Sequence, residues 1–100
     1  MKSRYSAYKV GNSDYIIQTT HKNNSDFTTD IKAWKDSIEE FSKYSDFQGL
    51  EILEFIDGNS EAYVTFRATI FQDNQDISFT EKSRFLKEDA KWFYVDGTFL

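Results

Sequence analysis

The hydrophobic period of this chain changes once, at Gly49, and that change dictates the class of fold it can adopt. Before it, Phe27, Ile31, Trp34, Ile38 and Phe41 recur at alternating spacings of four and three residues, one apolar stripe along a helix. After it the period is two. From Glu61 to Phe71, Ala62, Val64, Phe66, Ala68 and Ile70 share one parity, while Tyr63, Thr65, Arg67 and Thr69 take the other. A helical half followed by a strand half predicts an α+β domain in which helices pack on an antiparallel sheet.

The elements follow from local signals. Ser3 to Val10 reads as a short helix with Arg4, Ala7 and Tyr8 on one side, stopped by Gly11 in the C′ role. Asn12 or Ser13 caps a second helix, with Asp14 in its first turn, Ile16, Ile17 and Thr20 facing inward and His21 at its end. Lys22 to Asp30 is polar and reads as a loop; its Asn23-Asn24-Ser25 matches a glycosylation sequon, but no secretory signal gives that match a context. Thr29 or Asp30 caps the third helix, where Glu39 and Lys43 are spaced to pair. Leu50 to Ile56 carries apolar residues on both parities and is either two-sided or bulged. Turns are expected at Asp57-Gly58-Asn59-Ser60, at Gln72 to Asp76 and around Glu88-Asp89-Ala90. The strands between them run from Ile77 to Lys87, and through Trp92, Tyr94 and Asp96 alternating with Phe93 and Val95. That makes three helices and about four strands in one domain, residues 1–100.

Keeping like faces together sets the hairpin registers. The expected pairs are Val64 with Ser83, Phe66 with Glu81 and Ala68 with Phe79. For the last hairpin they are Phe85 with Trp92, Ser83 with Tyr94 and Glu81 with Asp96. One sheet face then carries Phe66, Trp92 and Tyr94 among other rings, with Glu81, Ser83 and Asp96 set among them. The core is necessarily aromatic, since ten Phe, six Tyr and two Trp dominate the apolar residues. Helices over such a curved sheet often leave a cavity between the layers.

A carboxyl group on an apolar face is costly unless paired or protonated, and burial generally moves carboxyls toward the range useful for acid–base chemistry. Two readings of Glu81 follow. In one it accepts hydrogen bonds from Arg4, Tyr8 or Trp92 and ties helix to sheet. In the other it is the base of a pocket enzyme, assisted by Asp96 or by His21, the single histidine, with Arg4 orienting an anionic group. Arg4, Tyr8, Phe66, Ser83, Trp92 and Tyr94 are the candidate pocket residues, and Arg84 falls on the outer parity. No phosphate-binding glycine loop, nucleophile elbow or calcium loop appears, so neither cofactor nor metal is expected.

Composition narrows the partners. The net charge of −5 argues against nucleic acid and anionic membrane. The absence of cysteine excludes disulfides and Cys-ligated zinc, and with no leader or long apolar run the expected location is cytoplasmic.

Several stretches resemble the YchJ-type domain: Ser3-Arg4-Tyr5-Ser6-Ala7-Tyr8, Gly11, Asp14-Tyr15 and Thr20-His21 at the start, then Gly49 to Leu53, Val64 to Ala68, Glu81 to Phe85 and Trp92 to Gly97. The resemblance implies the cone-shaped fold of the nuclear-transport-factor-2-like superfamily in a bacterial family without an established activity. Its usual members flank this domain with cysteine-rich SEC-C zinc motifs, which the cysteine-free chain cannot supply; it is either a stand-alone version or part of a longer product. The lack of a nucleophile, metal set or cofactor motif, with the usual place of such domains beside SEC-C segments, favours a non-catalytic module that binds a small ligand or a protein, including a homodimer through the outer sheet face around Tyr63, Arg67 and Arg84. The alternative is the acid–base enzyme with Glu81 as base.

Overall fold

The computed structural model describes residues 2–100. Three helices come first: α1 (Lys2–Val10), α2 (Ser13–Gln18) and α3 (Ile31–Tyr44). They are followed by strands β1 (Asp46–Ile56), β2 (Glu61–Gln72), β3 (Gln75–Asp76), β4 (Phe79–Glu88) and β5 (Lys91–Phe99). The α+β expectation holds, with one short strand more than the sequence suggested.

The caps are those the sequence offers. Gly11 ends α1 at φ 74°, the left-handed conformation that favours glycine. The Asn12 side chain accepts from the Tyr15 N–H at 3.2 Å, and Asp30 accepts from Ala33 N–H at 3.2 Å. Within the α3 stripe, Trp34 and Ile38 are buried with Ala7 and Ile16, where the helices meet. Phe27 precedes the helix and packs edge-to-face on Trp34. Glu39 and Lys43 do not pair: Glu39 accepts from Ser13 Oγ at 3.4 Å, and the Lys43 ammonium lies over the Tyr44 ring.

The sheet is antiparallel in the order β1-β2-β4-β5, with β3 pairing β2 across the turn at Asp73–Asn74. Both turn residues have positive φ, as a tight hairpin turn requires. β1 is the bulged strand that its mixed parity suggested, with register shifts between Phe47 and Gly49 and between Ile52 and Glu54. β2 pairs β4 as expected, with Val64 opposite Ser83, Phe66 opposite Glu81 and Ala68 opposite Phe79. The inner face of β2 joins Phe47 and Phe85 in the main core cluster.

The β4–β5 hairpin departs from expectation. Asp89 and Ala90 form a two-residue turn, both at positive φ (52° and 65°), so Lys87 faces Trp92 and Phe85 faces Tyr94. A bulge then follows, because Arg84 faces Asp96 and Val95 is the extra residue. The bulge reverses the parity of the rest of β5. Ser83 faces Gly97 and Glu81 faces Phe99, so the expected Glu81–Asp96 pair does not form. Two contacts from the N-terminal half hold β5 in this shape: Thr20 bridges to Tyr94 in parallel, and Asn24 Nδ2 donates to the Val95 carbonyl at 2.7 Å.

Candidate functional site

A cavity of about 820 Å³ lies between the helices and the inner sheet face. Arg4 and Tyr8 reach it from α1, Trp34 and Phe41 from α3, Phe66 from β2, Glu81 from β4 and Tyr94 from β5. Exposed Ser25, Asp26 and Phe99 are also in its lining and form its mouth, while Asp96 reaches only the rim, its carboxylate turned outward to Arg84. The strand period alone aims Glu81 inward, and helical spacing puts Arg4 and Tyr8 one turn apart on the same face.

Glu81 is 8% exposed. Its Oε2 accepts from the Ser83 hydroxyl and, at 3.2 Å, from the Tyr94 hydroxyl. Ser83 is fully buried and serves as the inner support of this carboxylate. Gly97 leaves the space the carboxylate fills: a Cβ there would stand 2.4 Å from both Glu81 Cδ and Oε2. Any larger residue displaces one or the other.

Arg4 is buried but does not bond Glu81 directly. Its Nη1 donates to the Ile16 carbonyl at 3.2 Å, to Thr19 Oγ1 at 2.6 Å and to Thr20 Oγ1 at 3.4 Å, fastening α1 to the end of α2. Its guanidinium carbon lies 4.8 Å from the centre of the Tyr94 ring, a cation–π contact. Tyr94 therefore joins the two charges, its ring against Arg4 and its hydroxyl on Glu81.

The electrostatics follow from that arrangement. Burial pushes the Tyr94 phenol far above its ordinary value, the Glu81 charge and hydrogen bond add to the rise, and Arg4 opposes it. Tyr94 is thus held as a hydrogen-bond donor. Burial likewise raises Tyr8, against the pull of Arg4. It presses the Arg4 guanidinium below its usual value, opposed by Tyr8, Tyr94 and, less strongly, Glu81.

The other sequence candidates lie elsewhere. Asp96 sits on the outer face of the sheet, where Arg84 grips it through Nε at 3.2 Å and Nη2 at 3.0 Å. His21 is buried at the far end of the Tyr94 bridge. Its Nδ1 accepts from the Asn23 N–H and its Nε2 bonds Glu88, an arrangement that fits the Nε2–H tautomer. It does not reach the Glu81 cavity. Trp92 lines a second groove of about 550 Å³ with Phe55, Phe85, Phe93 and Lys91, a groove that shares only Arg4 with the first. Trp92 therefore gives Glu81 no hydrogen bond; its ring lies under the Lys87 ammonium.

Sequence reasoning missed Gly97, Asn24 and Asp26. Gly97 had a legible signal, since a glycine inside a strand marks a bulge or a close approach. Asn24 and Asp26 lie in a polar loop and carry none. Among the described residues no three His, Cys, Asp or Glu side chains converge to hold a metal ion, and no helix is long and apolar enough to cross a membrane.

Comparison with known proteins places this arrangement. The family model described as YchJ, middle NTF2-like domain, matches residues 1–97. A UPF0225 protein of Vibrio vulnificus is 37% identical over 101 residues, covering 99% of this chain and 57% of the relative. The chain thus spans a little over half of that relative's length. The solution structure of a SEC-C motif containing protein from Rhodopseudomonas palustris superposes with a TM-score of 0.82 at 29% identity, over 98% of this chain and 73% of that one. A SEC-C motif containing protein from Psychrobacter arcticus gives 0.73 at 30% identity, over 100% and 58%.

Proposed function

This chain belongs to the family of YchJ middle, NTF2-like domains, and from that premise we propose that it is a non-catalytic module that binds a small ligand in the cavity at Glu81. One observation carries the reading: an aromatic-walled cavity of about 820 Å³ holds one buried carboxylate, fixed by two hydrogen bonds. That volume falls in the range of small-molecule sites, which pair apolar walls with few fixed polar groups. The acid–base alternative has less support. It needs a partner beside Glu81, whereas Asp96 is engaged by Arg84 on the opposite face and His21 by Glu88.

Uptake of an uncharged environment-sensitive dye such as N-phenyl-1-naphthylamine by the native protein tests the cavity. Ala68→Phe adds a ring to the cavity wall and is expected to abolish that uptake while circular dichroism remains native. Dye fluorescence that is absent from the native protein, or equal in a folded Ala68→Phe variant, overturns the reading.

A further inference from the structure

We infer that the ligand of this cavity is an organic cation, a protonated amine on an apolar body, with its ammonium group at Glu81. This rests on the ligand-binding reading above and adds the chemistry of the ligand.

The first support is an unused acceptor. Both hydrogen bonds to the Glu81 carboxylate fall on Oε2, and Oε1 receives none from any described residue. Oε1 is not sealed in the core either. The buried, unpartnered side-chain atoms among the described residues are Tyr5 OH and Ser42 Oγ, so Oε1 opens onto the cavity. A carboxylate oxygen drawn this far from bulk water and left unpaired carries a desolvation cost that a donor on a ligand would remove.

The second is the sign of the cavity. With the Asp96 carboxylate turned outward to Arg84, the charged groups left in its lining are Asp26 and Glu81 against Arg4. Arg4 commits its Nη1 to three oxygens of α2 and the residues after it and lays its guanidinium against Tyr94, so part of its charge serves the fold. An anion entering at Glu81 would meet a like charge. The chain as a whole carries −5, so the long-range field also draws cations toward the mouth.

The third is the wall. Tyr8, Trp34, Phe41, Phe66, Phe79 and Tyr94 line the same cavity, with Tyr94 on the carboxylate itself. Aromatic rings attract ammonium groups through their quadrupoles and solvate the apolar remainder of the ligand. A bare metal ion would give up its water to a single carboxylate and two hydroxyls, a far poorer exchange. An amine keeps hydrogen bonds to Glu81 while its body fills the space.

Titration calorimetry of the full chain with three matched probes, phenethylamine, phenethyl alcohol and hydrocinnamate, tests the assignment. The amine is expected to bind at least about tenfold more tightly than the alcohol, the equivalent of about 1.4 kcal/mol, with the acid weakest. Glu81→Gln is expected to bring the amine down to the level of the alcohol, and Asp96→Asn to change the order of the three not at all. Equal or tighter binding of the acid, no preference for the amine (none of the three binding included), or amine binding unchanged in a folded Glu81→Gln variant overturns the inference. If Glu81→Gln does not fold, the ranking on the native chain decides. Native dye uptake with no amine preference leaves the cavity reading standing; loss of dye uptake removes the cavity reading itself.

Discussion

Glu81 and Asp96 are both carboxylates on the β4–β5 hairpin, and they occupy opposite worlds. Glu81 faces inward, buried, held by Ser83 and Tyr94 and backed by the space at Gly97. Asp96 faces outward, exposed, in a two-point grip from Arg84. A single extra residue, Val95, separates these fates by reversing the parity of β5. The lesson is that the environment of a charge in a sheet is set by backbone register before side-chain chemistry acts. The inward carboxylate is built into the fold from several elements, whereas the outward one is held within its own hairpin and screened by solvent.

The sharpest way to break this comparison is Gly97→Ala. Its Cβ would overlap Glu81, and a destabilisation of about 3 kcal/mol is expected in urea unfolding. Adding Glu81→Ala should return part of the loss. Strict additivity of the two changes would show that Gly97 serves something other than the Glu81 carboxylate.

Next in size is Arg4→Met, which removes three hydrogen bonds and the contact with Tyr94; a loss of about 2 kcal/mol is expected. Arg4→Lys should recover little, because an ammonium lacks the planar fork and the stacking face. Full recovery by lysine would reduce the role of Arg4 to its charge.

Tyr94→Phe takes one donor from Glu81 and should cost about 1 kcal/mol near neutral pH. It also has an alkaline signature. The phenol ordinarily ionises near 10.0, and in the fold it keeps its proton to higher pH. Above about 10 the unfolded chain therefore loses the proton first, and stability falls as pH rises toward the folded value. Tyr94→Phe should flatten that fall, leaving the share due to Tyr8, whose phenol is raised in the same direction. An unchanged alkaline slope in thermal melts would separate Tyr94 from the buried network.

The smallest effect belongs to Asp96→Asn. Loss of an exposed pair with Arg84 should leave the unfolding midpoint almost unmoved, with a slight decrease. The sign is the informative part. Were Asp96 beside Glu81, removing its charge would relieve repulsion and raise the midpoint.

Much of the site is legible in the sequence. Alternation through β2 and β4 is strict, so the inward aim of Phe66, Glu81 and Ser83 follows from period two. The spacing of Arg4 and Tyr8 likewise fixes their shared helix face. The β5 register was not readable, for two physical reasons. Ala90 has no side-chain chemistry favouring the positive φ it adopts, so the two-residue turn carried only the signal of Asp89. Val95 continues the alternation of Phe93, so nothing in the residue types marks it as surplus. Gly97 was the one local clue.

The sequence by itself determined the layers, the aromatic core, the caps of the helices and the presence of a carboxylate on the inner face. All of these rest on periodicity and on short-range preferences that each segment carries alone. Only the tertiary structure decided which charges meet. The bulge at Val95 is held by Asn24 from a loop 71 residues earlier, and Tyr94 is bridged by Thr20. Those contacts are made by distant segments satisfying each other's backbone groups. They placed Asp96 with Arg84 and left Glu81 with Tyr94, Ser83 and an open cavity.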